Sequence, residues 1–327
     1  MNGEQGVALR IAIWVGVARE RIMDALAGVP DLDIAEAADA AGFIAALEGA
    51  QVAVLPGLPR FYGPEVGAKI ASSADMAWVH LISAGYDGVS AAGWPPGVKF
   101  THPGGALSGA VAEHAFALLT ALSRRLDQAV LGQIRHAWAK PYAQQATTLS
   151  GATLAIIGFG SIGQRAARLA KGYDMKVIGV SNSGRPVEGY EVHPASALLE
   201  VLPRADAVIC ALPYREQTRH LLDAQAFARF KPGAYFVNVG RGGVVDQAAL
   251  IEALKSGALA GAGLDVTDPE PLPEGDPLWT APNVLITPHY AAAGDREAAA
   301  LIAQGLVENI RRFRSGEPLL NPLSPGL

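Results

Sequence analysis

The stretch that most constrains the fold covers residues 151–163, which read GATLAIIGFGSIG. Residues 154–157 form an uninterrupted apolar run, as expected of a parallel strand that is buried on both faces. A glycine turn and then a helical pattern of small and apolar residues follow, and this order predicts a dinucleotide-binding unit. In such a unit Gly158 permits the tight turn, Gly160 lets the backbone approach a pyrophosphate, and Gly163 lets the helix pack closely on the strand. Because a chain with 37 glycines can match this motif by chance, the prediction rests more on the strand and the helix around the motif than on the spacing of the motif's glycines.

Composition limits the classes of protein to consider. The 327 residues are enough for about two domains, and a composition that is 50% hydrophobic and 17% charged argues against a disordered chain. The formal net charge of −5, without a long run of Lys or Arg, argues against nucleic acid or an anionic membrane as a partner. We therefore expect a globular, cytoplasmic protein.

Three further sequence features narrow the class. Cys210 is the only cysteine, so neither an internal disulfide nor a cysteine-based metal cluster can form. The amino terminus MNGEQG predicts no signal peptide, because it lacks a basic stretch followed by an apolar one. Residues 106–122 are the longest apolar segment, and the polar Glu113 and His114 in its middle favour a buried helix over a membrane span.

Strand and helix patterns alternate in two series. Residues 9–82 form the first series, with strands predicted at 9–15, 52–55 and 76–82. A second series begins at the glycine motif. Its six strands are predicted at 154–157, 176–180, 207–212, 234–239, 260–266 and 284–287. The fold class is therefore α/β, with two Rossmann-like or flavodoxin-like domains, each a doubly wound parallel sheet, and a cleft between them. Since we expect the last helix, about 295–314, to return to the first domain, residues 1–103 with 293–327 are assigned to substrate binding and 104–292 to NAD(P) binding.

Ionisable side chains follow the last three predicted strands. Arg241 follows the fourth of the six strands, Asp265 and Glu270 follow the fifth, and His289 follows the sixth. The carboxyl ends of these strands meet at the nicotinamide half of a dinucleotide site, so we expect the four side chains to converge there.

These side chains suit the reduction of a 2-oxo acid. The fork of Arg241 can hold a carboxylate, although a surface ion pair is the alternative. His289 can protonate a carbonyl oxygen, and a hydrogen bond from its imidazole to Glu270 would favour its protonated form. Asp265 is expected beside the nicotinamide ring, with a role in the strand-end turn as the alternative. No metal is required for this chemistry.

The ordered motifs GFGSIG, VNVGRGGVVD, GLDVTDPEPLP and ITPHYAA resemble the D-isomer-specific 2-hydroxyacid dehydrogenases over nearly the whole chain. The resemblance implies that Arg241, Glu270 and His289 are the catalytic residues and that the backbone of Ser83, Ala84 and Gly85 binds the substrate carboxylate. It also implies a homodimer built around the helix at 106–122. Trp138 lies where related reductases carry a tryptophan that reaches the neighbouring subunit's site, with a core or interface aromatic as the alternative.

The predicted coenzyme contacts favour NADP(H) over NAD(H). NAD-preferring members of the family carry an Asp at the end of the second nucleotide-binding strand, where this chain has Ser181. Without that carboxylate nothing repels a 2′-phosphate, and Arg185 with the nearby hydroxyls could bind one, unless Arg185 points into solvent. The full set of predicted coenzyme contacts is Gly158, Phe159, Gly160, Ser161, Ile162, Gly163, Ser181, Asn182, Ser183, Arg185, Leu212, Pro213, Val239, Gly240, Asp265 and His289.

The substrate is less well defined than the reaction. Preference for NADPH and the small-acid members of the family point to a glyoxylate and hydroxypyruvate reductase. The enzymatic alternatives are a D-3-phosphoglycerate dehydrogenase and a D-lactate or bulkier 2-oxo acid dehydrogenase. A different class is a non-catalytic, NAD(H)-sensing protein like the transcriptional corepressors that share the fold, and a turnover assay separates this class from the enzymes.

Overall fold

The computed structural model describes residues 8–16, 18–138, 141–294 and 296–324. The amino-terminal segment, for which the sequence predicts no signal peptide, lies outside the described residues, as does Asp295, the predicted first residue of the last helix. The chain forms two compact units, Met1–Leu107 with Asp295–Leu327 and Ser108–Gly294. The binding roles that the sequence predicts for the two units stay predictions.

The strands are β1 (Leu9–Ile13), β2 (Leu32–Glu36), β3 (Val52–Leu55), β4 (Trp78–Leu81), β5 (Lys99–Thr101), β6 (Thr153–Ile157), β7 (Lys176–Ser181), β8 (Glu191–Pro194), β9 (Ala207–Cys210), β10 (Ala234–Asn238), β11 (Leu259–Leu264), β12 (Val284–Ile286) and β13 (Pro322–Leu323). The α-helices are α1 (Arg19–Ala27), α2 (Ala40–Ala46), α3 (Pro64–Ser72), α4 (Asp87–Ala92), α5 (Ser108–Ser123), α6 (Leu126–Ile134), α7 (Ser161–Gly172), α8 (Leu198–Val201), α9 (Ala224–Phe227), α10 (Gln247–Lys255) and α11 (Arg296–Ser315).

The first unit is built on a sheet with the strand order β13-β5-β4-β3-β1-β2. The strands β1 to β5 are parallel and follow the flavodoxin-like order 2-1-3-4-5, and β13 joins β5 antiparallel. Helix α11 packs on α1 in this unit, where Ile302, Leu306 and Ile310 share a buried cluster with Ile22 and Leu26. Residues from the two ends of the chain therefore build one core.

The second unit is a seven-stranded parallel sheet with the order β12-β11-β10-β9-β6-β7-β8. From β8 inwards this is the Rossmann order 3-2-1-4-5-6 with one further strand at the far edge. The prediction of an α/β protein with doubly wound, parallel Rossmann-like sheets is confirmed. The prediction of six strands is wrong by one, because β8 (EVHP) has no buried residue and so lacks the apolar run that marks the other strands.

The long apolar segment at 106–122 is helix α5, with Val111, Ala115 and Leu119 among its buried residues. It packs against α7, β10 and β11 within the second unit. In the described part of the chain, no helix combines the length and apolarity that a membrane crossing needs.

Candidate active site

The candidate site lies at the carboxyl ends of β10, β11 and β12, which are neighbours in the second sheet. Arg241 follows β10, Glu270 lies in the segment after β11, and His289 follows β12. Because neighbouring parallel strands end at the same edge of a sheet, their following loops meet there. The structure thus brings together the three residues that the sequence singles out for catalysis.

The loop that carries Arg241 is confined between its two neighbouring loops. A Cβ atom at Gly240 would overlap the carbonyl oxygen of Leu212, and one at Gly242 would overlap that of Thr267. Protein backbone therefore approaches both glycines closely, one from each side of the loop. A larger residue at position 240 or 242 would push the loop away from its neighbours and so displace Arg241.

The buried side chain of Asn238 braces the same loop. Its Nδ2 donates to the carbonyl oxygen of Arg241 over 3.0 Å, and its Oδ1 accepts from the backbone N–H of Gly240 over 3.0 Å. Arg241 itself donates from Nη1 to the carbonyl oxygen of Gly240 over 2.7 Å. These bonds fix the backbone from which the guanidinium projects.

Glu270 and His289 form a hydrogen-bonded pair. Glu270 Oε2 lies 2.8 Å from His289 Nδ1, and Glu270 Oε1 accepts from the backbone N–H of Thr267 over 3.2 Å. Both side chains are about a third exposed, at 36% for His289 and 37% for Glu270. With Nδ1 bonded to the carboxylate, Nε2 is the imidazole nitrogen that can donate to a substrate oxygen.

Opposing influences set the charge of Glu270. Burial raises the pKa of its carboxyl, but the hydrogen bond and charge of His289, the Thr267 amide and the charge of Arg241 together bring that pKa below its ordinary value. The group is therefore ionised at neutral pH, and it acts as an acceptor for the imidazole. The positive charge of Arg241 thus favours the ionised form of Glu270.

Asp265 is almost completely buried, with 2% of its surface exposed. Its Oδ1 accepts from the Thr287 hydroxyl over 2.7 Å and from the Tyr290 N–H over 3.1 Å, and its Oδ2 accepts from the Ala291 N–H over 3.0 Å. These bonds match the role in the strand-end turn that the sequence leaves open. A contact between Asp265 and the nicotinamide stays a prediction.

The glycine motif has the geometry that a pyrophosphate site needs. Gly158 has φ +98°, and a Cβ atom there would lie 2.7 Å from the carbonyl oxygen of Ala211. A Cβ atom at Gly163 would overlap the carbonyl oxygen of Gly158. Nothing lies within 4 Å of a Cβ at Gly160, which precedes the first residue of α7. The space before this helix N-terminus therefore suits a diphosphate.

The remaining predicted coenzyme contacts follow the ends of β6, β7, β9 and β10. Phe159 is buried against Gly179, where a Cβ atom would lie 2.6 Å from the aromatic ring. Ser161 and Ile162 begin α7, while Leu212, Pro213, Val239 and Gly240 follow β9 and β10.

The turn after β7 carries hydroxyls and one arginine. Ser181 Oγ accepts from the Gly184 N–H over 3.1 Å, and Ser183 Oγ accepts from the Arg185 N–H over 3.4 Å. Both hydroxyl protons stay available for a ligand. The side chains of Asn182, Ser183 and Arg185 are exposed.

The predicted carboxylate-binding segment, Ser83, Ala84 and Gly85, belongs to the first unit and follows β4. Ser83 Oγ donates to the Gly85 carbonyl oxygen over 2.7 Å and accepts from the Gly57 N–H over 2.8 Å. A Cβ atom at Gly57 would lie 2.8 Å from the Gly85 carbonyl oxygen, so the loops after β3 and β4 are in contact. The segment is thus held in one conformation by its own hydroxyl.

Four further residues contact the site residues or their loops, and the sequence does not predict a role for them: Asn238, Thr267, Thr287 and His114. The first three lie within the recognised motifs but have uncharged side chains, which do not stand out as reactive groups. His114 appears in the sequence only as a polar residue inside an apolar helix. Among the described residues, no group of three or more His, Cys, Asp or Glu is arranged to hold a metal ion.

Comparisons with known proteins agree with this geometry. Residues 116–291 match the description "D-isomer specific 2-hydroxyacid dehydrogenase, NAD binding domain". A glyoxylate reductase of Korarchaeum cryptofilum is 38% identical over 229 residues, which cover 68% of this chain and 68% of that protein. A glycerate dehydrogenase of Methylorubrum extorquens is 30% identical over 283 residues, which cover 83% of this chain and 85% of that protein.

A solved structure extends the similarity to almost all of the chain. The NADPH-dependent glyoxylate/hydroxypyruvate reductase of Sinorhizobium meliloti, in complex with NADP and sulfate, is 29% identical. The alignment covers 96% of this chain and 97% of that chain with a TM-score of 0.79.

Proposed function

The chain belongs to the D-isomer-specific 2-hydroxyacid dehydrogenases, and we propose that it reduces glyoxylate, hydroxypyruvate or a similarly small 2-oxo acid to the 2-hydroxy acid. As a member of that family it is an oxidoreductase with a nicotinamide coenzyme. The observation that carries the proposal is the Glu270–His289 pair at 2.8 Å, which lies at the same edge of the sheet as the loop of Arg241.

Each group in the proposed site has one task. The guanidinium of Arg241 binds the substrate carboxylate through two charge-assisted hydrogen bonds. His289 donates a proton from Nε2 to the carbonyl oxygen, and ionised Glu270 stabilises the imidazolium through Nδ1 and fixes the orientation of the ring. When bound, the reduced coenzyme supplies the hydride for the carbonyl carbon.

A panel of 2-oxo acids tests the proposal. We expect the largest kcat/KM with glyoxylate or hydroxypyruvate, as the names of the relatives from Korarchaeum and Sinorhizobium suggest. A larger value with phosphohydroxypyruvate or pyruvate would replace this substrate class by the phosphoglycerate or lactate alternative. Coenzyme binding without turnover of any 2-oxo acid would favour the NAD(H)-sensing alternative.

We also propose that NADP(H) is preferred over NAD(H). Residues 181–185 contain no carboxylate, and they present an arginine and two serine hydroxyls at an exposed turn. The NADP-bound reductase from Sinorhizobium supports the same choice.

The Arg185→Gln variant is expected to lose about 10- to 100-fold in kcat/KM for NADPH, which is the scale of one hydrogen bond to a charged group. Its kcat/KM for NADH should stay the same, because NADH has no 2′-phosphate. Arg168→Gln, a change at an exposed arginine of α7, is the control. A wild-type preference for NADH, or equal effects of Arg185→Gln on both coenzymes, would refute the proposal.

The resemblance implies a homodimer built around the helix at 106–122, and we further propose that the exposed face of α6, the next helix along the chain, forms part of its interface. None of the residues of this helix is buried, and its exposed large apolar side chains are those of Leu126 (49%), Val130 (54%), Leu131 (41%) and Ile134 (70%). Trp138, four residues beyond the end of the helix, is 95% exposed. Exposed apolar side chains grouped in this way are typical of a protein interface. A second copy of the chain is the occupant that suits a family of homodimers.

The Ile134→Glu variant is expected to have the mass of one chain in light scattering, whereas the wild type should have twice that mass. A charge at this position would have to be desolvated in the interface. Leu169→Glu, at a partly exposed leucine of α7 (39%), should leave the mass unchanged. A wild-type protein with the mass of one chain would contradict the proposed dimer.

Two further assignments remain proposals. The backbone of Ser83 to Gly85, held by the Ser83 hydroxyl, is proposed to bind the substrate carboxylate. A cytoplasmic location is proposed from the composition and from the need for a reduced coenzyme.

A further inference from the structure

The backbone of His289 is held in an unusual conformation. Its φ is +50°, in the left-handed region that non-glycine residues rarely adopt. Its N–H donates to the carbonyl oxygens of Asp265 and Thr287 over 2.9 and 3.0 Å. Such a conformation is strained and persists only when surrounding contacts enforce it.

The buried carboxylate of Asp265 supplies the enforcing contacts. It accepts hydrogen bonds from the amides of Tyr290 and Ala291, the two residues directly after His289. With the bond from the His289 N–H to the Asp265 carbonyl oxygen, one residue holds three consecutive amides. The turn that presents the imidazole is therefore built around Asp265.

Helix α5 contributes a further side chain to this arrangement. His114 Nε2 lies 2.9 Å from Thr287 Oγ1 and 3.5 Å from Asp265 Oδ1. The single proton of the Thr287 hydroxyl is donated to Asp265, so the bond to His114 must use a proton on Nε2 of the imidazole. The resulting chain of donors runs from His114 through Thr287 to Asp265.

The packing of α5 on β11 sets the position of His114. His114, Leu118 and Leu122 are four residues apart along one face of the helix, and Gly261, Gly263 and Asp265 lie on one face of the strand. A Cβ atom at Gly263 would lie 2.8 Å from Leu118 Cβ, and one at Gly261 would lie 3.1 Å from Leu122 Cδ2. Gly261 faces Leu122 and Gly263 faces Leu118, so these two glycines let the helix approach the strand closely. One step further along the same two faces, His114 faces Asp265.

We propose that His114 is a positioning residue for His289, acting through Thr287 and Asp265 without touching the substrate. This inference rests on the catalytic role proposed above for His289. It assigns a function to a side chain that lies 173 positions from Thr287 in the chain.

Paired substitutions test the proposal. His114→Leu and Thr287→Val remove the donor and the hydroxyl, and we expect kcat to fall about 10- to 100-fold, the scale of a small misplacement of a catalytic group. The kinetics are measured at saturating NADPH, so that a change in coenzyme affinity does not affect kcat. His114→Gln retains an N–H donor near the position of Nε2 and Thr287→Ser retains the hydroxyl, so both should restore most of the lost kcat. Thr120→Val on the same helix is the control.

A readout independent of activity accompanies the kinetics. In the His114→Leu and Thr287→Val variants, hydrogen exchange of the Tyr290 and Ala291 amides should be faster than in the wild type. Unchanged kcat in both variants would overturn the proposal, and so would equal losses in the Leu and Gln variants, because a packing role does not depend on the donor. Unchanged exchange would also overturn it. If wild-type protein turns over no 2-oxo acid, the proposed function fails, and the exchange data alone then decide whether the network holds the turn.

Discussion

The His289→Asn variant is expected to lose about 10²–10⁴-fold in kcat for reduction of a 2-oxo acid, the usual contribution of a positioned proton donor. Asparagine tolerates the left-handed backbone that His289 adopts at φ +50°, so the turn should be retained. The Asn side chain cannot deliver a proton as an imidazolium does. Steady-state kinetics should therefore show the loss in kcat at concentrations of NADPH that a fluorescence titration shows to saturate the variant.

The charge of Glu270 gives this prediction a pH dependence. Since the pKa of Glu270 lies below its ordinary value, the carboxylate persists to acidic pH, and its support of the imidazole should weaken only as pH falls through that lowered value. In the Glu270→Gln variant, kcat should be lower at neutral pH than in the wild type. A plot of kcat against pH should also lack the decrease on its acid side that protonation of Glu270 causes. If His289→Asn keeps wild-type turnover with every accepted 2-oxo acid, the assigned proton donor is wrong.

Arg241→Gln is expected to lower kcat/KM by about 10²–10⁴-fold, because it removes two hydrogen bonds to a charged carboxylate at about 1.5–3 kcal/mol each. Most of the loss should be in KM, since the carboxylate is bound both before and during hydride transfer. A smaller loss in kcat should accompany it, because Arg241 also acts on the charge of Glu270.

A lysine at the same position separates charge from geometry. Arg241→Lys keeps the positive charge but not the planar fork, so it should recover only part of the lost kcat/KM. Both variants keep Gly240 and Gly242, and so the loop between Leu212 and Thr267 should remain intact. An Arg241→Gln enzyme with wild-type KM for each 2-oxo acid would assign carboxylate binding to another group.

The sequence predicts strands best where they are buried on both faces. The strand β3 (VAVL) is fully buried, and its predicted and observed limits are the same. The strand β2 (LDIAE) has no fully buried residue, and the sequence therefore does not predict it. The strand β8 is missed for the same reason. Edge strands bury only part of their surface, so their composition carries a weaker signal.

For the site, the sequence predicts which loops meet but not which side chains touch. The topology of a doubly wound sheet brings Arg241, Glu270 and His289 to one edge, and this follows from strand order alone. The contact of His114 with Thr287 depends on how deeply α5 packs on β11, which Gly261 and Gly263 determine. No periodicity in the sequence encodes that depth.

The fate of the transferred hydride tests the central claim most directly. With reduced coenzyme that carries deuterium at the reactive position of the nicotinamide and with hydroxypyruvate as substrate, mass spectrometry should find one deuterium on the carbon of the product that carries the new hydroxyl. The same label should be almost absent when the His289→Asn variant is used at equal coenzyme occupancy and for the same time. Coenzyme consumption without a labelled 2-hydroxy acid, or labelling by the variant at the wild-type rate, would contradict hydride transfer to a 2-oxo acid with His289 as the proton donor.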